Sequence, residues 1–246
     1  MSKKVILFVA EDGHFYEHLL PIARSAKEKG YIVEVLTKEG GYKTKVEEQG
    51  FKVLTIDISR FCLNPFKELK LIFNLIGIYR REKPNIVQHF GIKPIIYGSI
   101  ALLFSKTERV VNTFLGMGFI FLSEKIWVKV IRFFICNILK LVSINKKYIY
   151  ITQNKDDAEL LRNLRIASKD RIVNQCSVGI EPDNFKFLHE LPGKIIFALV
   201  GRMIVDKGVG EFVTAANLLN KNGLFAEFWL VGAPDENIQD HLKKSN

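Results

Sequence analysis

The hydrophobic pattern of the first 60 residues switches between two periods. Val5–Ala10 (VILFVA) is an unbroken apolar run, as expected of a strand buried on both faces. Glu11, Asp12 and Gly13 make a turn. His14–Lys29 then repeats Leu19, Leu20, Ile22, Ala23 and Ala26 at helical spacing, and Gly30 stands where a C-capping glycine belongs. Tyr31–Leu36 predicts a second strand, Thr44–Gln49 a short helix and Phe51–Ile56 a third strand. Farther on, Pro65–Arg81, Pro94–Phe104 and Asp156–Leu164 read as helices, and Ile86–Gln88, Arg109–Thr113 and Tyr148–Ile151 as strands. Strand and helix in alternation predict an α/β fold with a doubly wound parallel sheet.

After Val173 the pattern lapses. Ser177-Val178-Gly179-Ile180-Glu181-Pro182-Asp183 is turn-rich, and a linker is expected from there to about Pro192. A fresh start follows: strand Ile195–Val200 (IIFALV), loop Gly201–Lys207, helix Val209–Leu219 and strand Phe225–Val231, before Gly232-Ala233-Pro234-Asp235 breaks it. The expected division is a first domain over 1–188 and the start of a second over 189–246. Two strands and one helix enclose no core of their own, and a domain takes roughly 100 residues, so the second reads as incomplete.

Charge sharpens the picture. A net charge of +10 calls for an anionic partner, and Ser123–Arg171 holds 11 Lys and Arg against 5 Asp and Glu. Within it, Lys125, Lys129, Arg132, Lys140 and Ser143 keep to one face of a helix. Trp127, Phe133 and aliphatic residues fill the rest. Two readings stand: a helix lying in an anionic membrane interface, or a core helix whose cations reach out to water. Nucleic acid is disfavoured, because the stripe's neighbours are aliphatic and no recognition motif accompanies it. Cys62, Cys136 and Cys176 are few, odd in number and far apart, which argues against a zinc site or a disulfide framework and suits a reducing cytoplasm. The apolar run after Lys4 is too short for a signal peptide, and no 18-residue uncharged apolar stretch predicts a membrane span.

Candidate chemistry gathers at strand ends. Gly13 follows the first strand, where open backbone N–H groups suit phosphate, although a plain turn explains it equally. Gly201-Arg202 and Lys207-Gly208 flank a helix start, so two cations, a helix dipole and open backbone converge there; this suits a diphosphate. In Gln88-His89-Phe90-Gly91-Ile92-Lys93-Pro94, His89 is an acid/base or hydrogen-bonding candidate and Lys93 an anion anchor, against a structural histidine and a solvated lysine. Asn112-Thr113-Phe114-Leu115-Gly116-Met117-Gly118-Phe119 allows close backbone approach at its glycines. His14 and His18 lie four apart but lack the H-E-x-x-H order, so no metal site is expected.

With these residues in view, the chain resembles the retaining glycosyltransferases of the GT-B fold, family four, and within them bacterial enzymes that extend undecaprenyl-diphosphate-linked sugars. The resemblance rests on an ordered set: Ser59-Arg60 with Leu63-Asn64-Pro65-Phe66; His89–Pro94 with Tyr97-Gly98; Asn112 with Gly116-Met117-Gly118 and Phe121; Ser177-Val178-Gly179-Ile180 with Asp183 and Phe185; and Gly201-Arg202, Lys207-Gly208-Val209, Glu211-Phe212, Ala215-Ala216 and Leu230-Val231-Gly232. It implies two Rossmann-like domains, a nucleotide sugar as donor substrate, a lipid-linked saccharide as acceptor, and no metal or other cofactor. Arg202 and Lys207 would stabilise the leaving diphosphate, with Gly201 and Gly13 beside it. His14, His89, Lys93, Asn112, Gly116 and Gly118 would line the acceptor side. Lys125, Trp127, Lys129, Arg132, Phe133 and Lys140 would meet the membrane, with the protein peripheral on its cytoplasmic face. Leu115 stands where many relatives carry a histidine. The donor domain's E-x-x-x-x-x-x-x-E motif would lie beyond Asn246, so this chain is expected to be inactive alone. The alternative is the acceptor-binding half of a split enzyme, recruiting a partner chain.

Overall fold

The computed structural model describes residues 2–59, 64–175, 187, 193, 195–223 and 225–232. Two compact units divide the chain, Met1–Asn184 and Phe185–Asn246. Arg60, Cys62, Leu63, Cys176, the expected linker apart from Phe187, the 188/189 boundary and the Ala233-Pro234-Asp235 break lie outside the described residues.

The first unit is a seven-stranded parallel sheet of order β3-β2-β1-β4-β5-β6-β7. Its strands are β1 (Lys4–Glu11), β2 (Ile32–Lys38), β3 (Lys52–Thr55), β4 (Ile86–Phe90), β5 (Arg109–Thr113), β6 (Tyr148–Thr152) and β7 (Ile172–Asn174). The continuous apolar run of β1 is explained by burial on both sides. Ile6, Phe8 and Ala10 join one core, and Val5, Leu7 and Val9 join the other, as the two-residue period of a strand requires. Helices α4 (Pro65–Glu82), α5 (Ile92–Ala101), α7 (Ile126–Ser143) and α8 (Lys155–Asn163) cover the first core. Helices α2 (Leu20–Glu28) and α3 (Lys43–Glu48) cover the second.

The helix expected over His14–Lys29 is broken into α1 (Asp12–His14), a π-helical turn (Phe15–Leu19) and α2. Pro21 accounts for the slip: it has no N–H to donate four residues back, so the ladder there cannot keep its regular step. Among the described residues, α6 (Gly118–Leu122) and β7 are elements that the pattern did not predict. Both are too short to show a period.

At the N-terminal edge of the sheet five charges interlock. Lys4 and Lys52 each reach both Glu34 and Glu82, at 3.0–3.1 Å, and Arg81 Nε donates to Glu82 at 2.9 Å. The Arg81 guanidinium, then Lys52 and Lys4, hold the Glu82 carboxyl down to about 2.

The second unit contains the parallel strands β8 (Ile195–Val200) and β9 (Ala226–Val231), joined through a 3-10 turn (Val205–Lys207) and α9 (Val209–Lys221). Gly232, at φ +155°, packs against the loop after β8: a Cβ there would lie 1.8 Å from the carbonyl oxygen of Gly201, a backbone atom that cannot swing aside. The α9 side of the strands carries Phe197 and Phe228, whose rings stack at 5.3 Å, and Phe212 meets Phe228 edge-on. On the other side Val200 and Trp229 are 75% and 49% exposed.

Candidate functional site

Chain order and sheet order together locate a crevice. From β1 the chain steps through β2 to β3 in one direction; from β4 it steps through β5 to β7 in the other. The loops leaving β1 and β4 therefore part to opposite faces, and ligands of open parallel sheets bind where that happens, at the strands' C-terminal ends. Gly13 and His14 follow β1, Gly91 and Lys93 follow β4, and Gly116 and Gly118 follow β5.

Behind β1, Asp12 organises the turn. Its buried carboxylate accepts from the backbone N–H groups of Gly40 and Tyr42, at 2.9 and 3.0 Å, and ties the loop after β2 to the end of β1. The Tyr42 ring then lies over Gly13, where a Cβ would stand 3.3 Å from it, and the Tyr42 hydroxyl donates to Glu17 at 3.1 Å. The missing side chain of Gly13 thus makes room for Tyr42. His14, partly buried, faces His18 with ring centroids 4.9 Å apart.

The sequence suggested that His89 and Asn112 line the acceptor side. That expectation is corrected: both are 0% exposed. They are cross-strand neighbours on β4 and β5, pointing into the core beneath α4 and α5. His89 Nδ1 lies 2.7 Å from Asn112 Oδ1 and Nε2 lies 3.2 Å from the Tyr79 hydroxyl. An amide oxygen only accepts, so Nδ1 carries the proton and Nε2 accepts from Tyr79. Asn112 Nδ2 donates to Ser99 Oγ at 3.3 Å. Burial lowers the imidazole pKa to about 4, with Asn112 opposing, so His89 is neutral at physiological pH. Gly98 on α5 makes the space: a Cβ there would sit 2.2 Å from His89 Nε2. The pair is a buried brace joining α4, α5, β4 and β5.

Lys93 does reach the sheet's upper edge. Its ammonium donates to the Ser59 carbonyl and to Glu68 Oε1, both at 2.7 Å, and lies 5.8 Å from the centre of the Tyr97 ring. It thereby struts a cleft of about 340 Å³ lined by Asp57, Ser59, Lys67, Glu68, Lys70 and Asn74, between the end of β3 and the first turns of α4. Asn64 caps α4 by accepting from the N–H groups of Phe66 and Lys67. Gly116 and Gly118, at φ +111° and +58°, give the loop after β5 a backbone few other residues adopt, and Gly118 comes close to Ile92 at the start of α5.

In the second unit, Gly201, Arg202 and Lys207 share the β8–α9 crossover. Gly201 N–H is tied to Val231 O at 2.9 Å, and Gly208, at φ +75°, turns the chain into α9. Gly13 belongs to the other unit.

Residues 4–153 match the family described as Glycosyl transferase 4-like. The chain belongs to that family. It is 28% identical over 235 residues to the N,N'-diacetylbacillosaminyl-diphospho-undecaprenol alpha-1,3-N-acetylgalactosaminyltransferase of Campylobacter jejuni subsp. jejuni serotype O:2, a match covering 90% of this chain and 61% of the relative. Similar solved structures include Anabaena Alr3699/HepE in complex with UDP and glucose (TM-score 0.67, 14% identity, 99% of this chain and 64% of that one). The sucrose-phosphate synthase of Thermosynechococcus elongatus is similar too (TM-score 0.69, 14% identity, 96% and 63%). These share the fold. The chain thus spans about three fifths of the length of its relative.

In this glycosyl transferase 4-like chain, α7 divides its apolar residues between two faces. Val128, Ile135, Cys136, Leu139 and Val142 are buried, whereas Ile126, Trp127, Val130, Phe133, Phe134 and Leu141 are exposed. Lys125, Lys129 and Lys140 are exposed as well, and Lys129 pairs with Glu124 at 2.6 Å. Arg132 departs from the expected basic stripe: Nε donates to Ile120 O at 2.9 Å and Nη2 to Ser123 O, pinning α6 to α7. Among the described residues no helix is long and apolar enough to cross a membrane.

Asp12, Tyr42, Glu68 and Asn74 were not singled out from sequence. Only Asp12 left a signal, as one of two carboxylates between a buried strand and a glycine. The others are brought to the site by β2–β3 and α4 packing.

Proposed function

We propose that this chain carries the acceptor side of a glycosyltransferase that moves a hexose or N-acetylhexosamine from a UDP-linked donor to an undecaprenyl-diphosphate-linked saccharide, with retention, peripheral on the cytoplasmic face of a membrane. The observation that carries this is the 235-residue similarity to a transferase whose acceptor is named as a diphospho-undecaprenol saccharide. The crevice between β1 and β4 lies where open parallel sheets bind ligands, and the cleft beside Lys93 opens at the C-terminal end of β3. The exposed apolar face of α7, flanked by Lys125, Lys129 and Lys140, suits the surface that would bear such an acceptor. Arg202 and Lys207, beside the start of α9, would stabilise the departing diphosphate without a metal. The bond from the sugar to phosphate breaks, the acceptor oxygen bonds the same face, and its proton passes to a phosphate oxygen.

The resemblance assigns two donor-domain glutamates eight apart to the sugar and ribose, and residues 195–232 contain no such pair. The 246-residue chain by itself is therefore proposed to hold the acceptor and transfer nothing. Incubating it with UDP-sugars and a lipid-diphosphate-linked saccharide tests both parts. Sugar transfer would overturn the inactivity, and absence of acceptor binding would overturn the acceptor assignment.

A further inference from the structure

The ends of α4 and α5 enclose a second cleft, at the N-terminal edge of the sheet and so opposite the β1–β4 crevice. It holds about 460 Å³, and its lining includes Tyr79, Arg80, Lys83, Asn85, Phe104 and Lys106. That volume is in the range of small-molecule sites. Two helix ends build it. Lys83, in the left-handed region at φ +48°, stops α4 and donates its N–H to Tyr79 O at 3.0 Å. A 3-10 turn (Leu102–Phe104) closes α5, and Arg80 Nε donates to the Phe104 carbonyl at 3.4 Å, tying one rim to the other. Asn85 is already engaged: it accepts from the Lys4 N–H at 2.9 Å and donates to Glu108 at 2.7 Å.

Among the described residues no carboxylate lines this cleft. The nearest in sequence are held elsewhere, Glu82 by Lys4, Lys52 and Arg81, and Glu108 by Lys3. Arg80, Lys83 and Lys106 are exposed, and among the described residues none of the three forms a salt bridge. Cations at helix C-termini ordinarily answer the macrodipole, but the count here exceeds that need. Each end carries about half a negative charge, so two ends balance about one of the three cations. An excess of about two positive charges is left over a concave surface. Beside it stands the Phe104 ring, 55% exposed.

We propose that this cleft binds a small soluble diphosphate ester that carries a flat ring, with Arg80, Lys83 and Lys106 on the phosphates and Phe104 against the ring. A nucleoside diphosphate is the chemical class that unites those features. The guanidinium presents a fork of donors to phosphate oxygens, and the two ammonium groups are compact charges on flexible stems. Tyr79 in the lining also holds His89 through its hydroxyl. An occupied cleft therefore adds to the contacts joining α4 to α5, and raises the melting temperature by mass action. The site goes beyond the acceptor reading above and does not depend on it.

Limited acetylation of the full 246-residue chain, followed lysine by lysine by mass spectrometry, tests this with pyrophosphate and with ADP against sodium chloride at equal ionic strength. With either probe at several times its Kd, modification of Lys83 and Lys106 is expected to slow about fivefold, while Lys155 and Lys169 are unchanged. In isothermal titration, Lys83→Gln/Lys106→Gln is expected to weaken both probes about tenfold or more. Phe104→Ser is expected to weaken ADP about fivefold or more and to change pyrophosphate little. The control Lys155→Gln/Lys169→Gln, on α8 and in the turn before β7, removes the same charge elsewhere on the first unit. No binding by the unmodified chain, protection confined to Lys207, or equal loss in the control overturns the proposal. Protection of Lys83 and Lys106 by phosphatidylglycerol vesicles but not by pyrophosphate overturns the soluble ligand. Unchanged circular-dichroism melting without probe shows that a variant folds; where Phe104→Ser melts early, Phe104→Leu replaces it. No lipid-linked saccharide is present, so a failure here leaves the acceptor assignment standing, to be decided by acceptor binding.

Discussion

Replacing Gly98 by alanine sets a local rule against a tertiary one. Gly98 lies inside α5, where alanine is normally favoured over glycine by about 0.5–1 kcal/mol. The built Cβ, however, would approach His89 Nε2 to 2.2 Å, Cδ2 to 2.7 Å and Cε1 to 2.8 Å. Comfortable carbon contacts begin near 3.5 Å, so the ring must retreat by about 1 Å or more. It has nowhere to go without losing the 3.2 Å bond to Tyr79 or the 2.7 Å bond to Asn112. Overpacking costs about 1–3 kcal/mol, and a buried group left unsatisfied about 1–3 kcal/mol more. Set against the helix gain, the net loss is about 1–5 kcal/mol, or a fall in Tm of roughly 2–20 °C for a unit of this size. Thermal and urea unfolding of Gly98→Ala, followed by near-ultraviolet circular dichroism of the buried tyrosines, measures this. The decisive comparison is the cycle with His89→Ala. Removing the imidazole removes the clash, so Gly98→Ala becomes neutral or stabilising in that background. Equal destabilisation in both backgrounds, or stabilisation of the parent, refutes the brace.

Two further outcomes follow from the same structure. Acid should weaken the first unit in two windows. His89 is held neutral, with a folded pKa of about 4 against about 6.5 unfolded, so the unfolded chain gains the proton first and stability falls as pH drops from about 6.5 to 4. Glu82, held down to about 2, contributes stability above its unfolded pKa that is lost as pH falls from about 4.5 toward 2; urea midpoints across this range should lose the lower phase in Glu82→Gln and keep the upper one. Asp12→Ala should free the Gly40 and Tyr42 amides, two charge-assisted bonds of about 1.5–3 kcal/mol each. Their hydrogen exchange should speed by about tenfold or more; unchanged exchange would show that Asp12 does not hold the loop.

What the sequence determined by itself was local. The unbroken run VILFVA marked a strand covered on both sides, the 3.6-residue recurrences marked the long helices, and their alternation imposed a parallel sheet. Glycines and cations at strand ends pointed to the C-terminal edge of that sheet, because loops leave there and backbone N–H groups stay open. Tertiary structure decided the rest. Periodicity records which face of an element is apolar and never what covers it, so the burial of His89 under Gly98 and the exposure of Phe66 and Phe133 could not be separated in the string of letters. Arg132 looked like part of a basic stripe until the carbonyls of Ile120 and Ser123 were brought to it. Asp12 acquired its role only when β2 delivered Gly40 and Tyr42 beside β1. In each case the deciding partner lies many residues away along the chain, and proximity across that distance is set by packing.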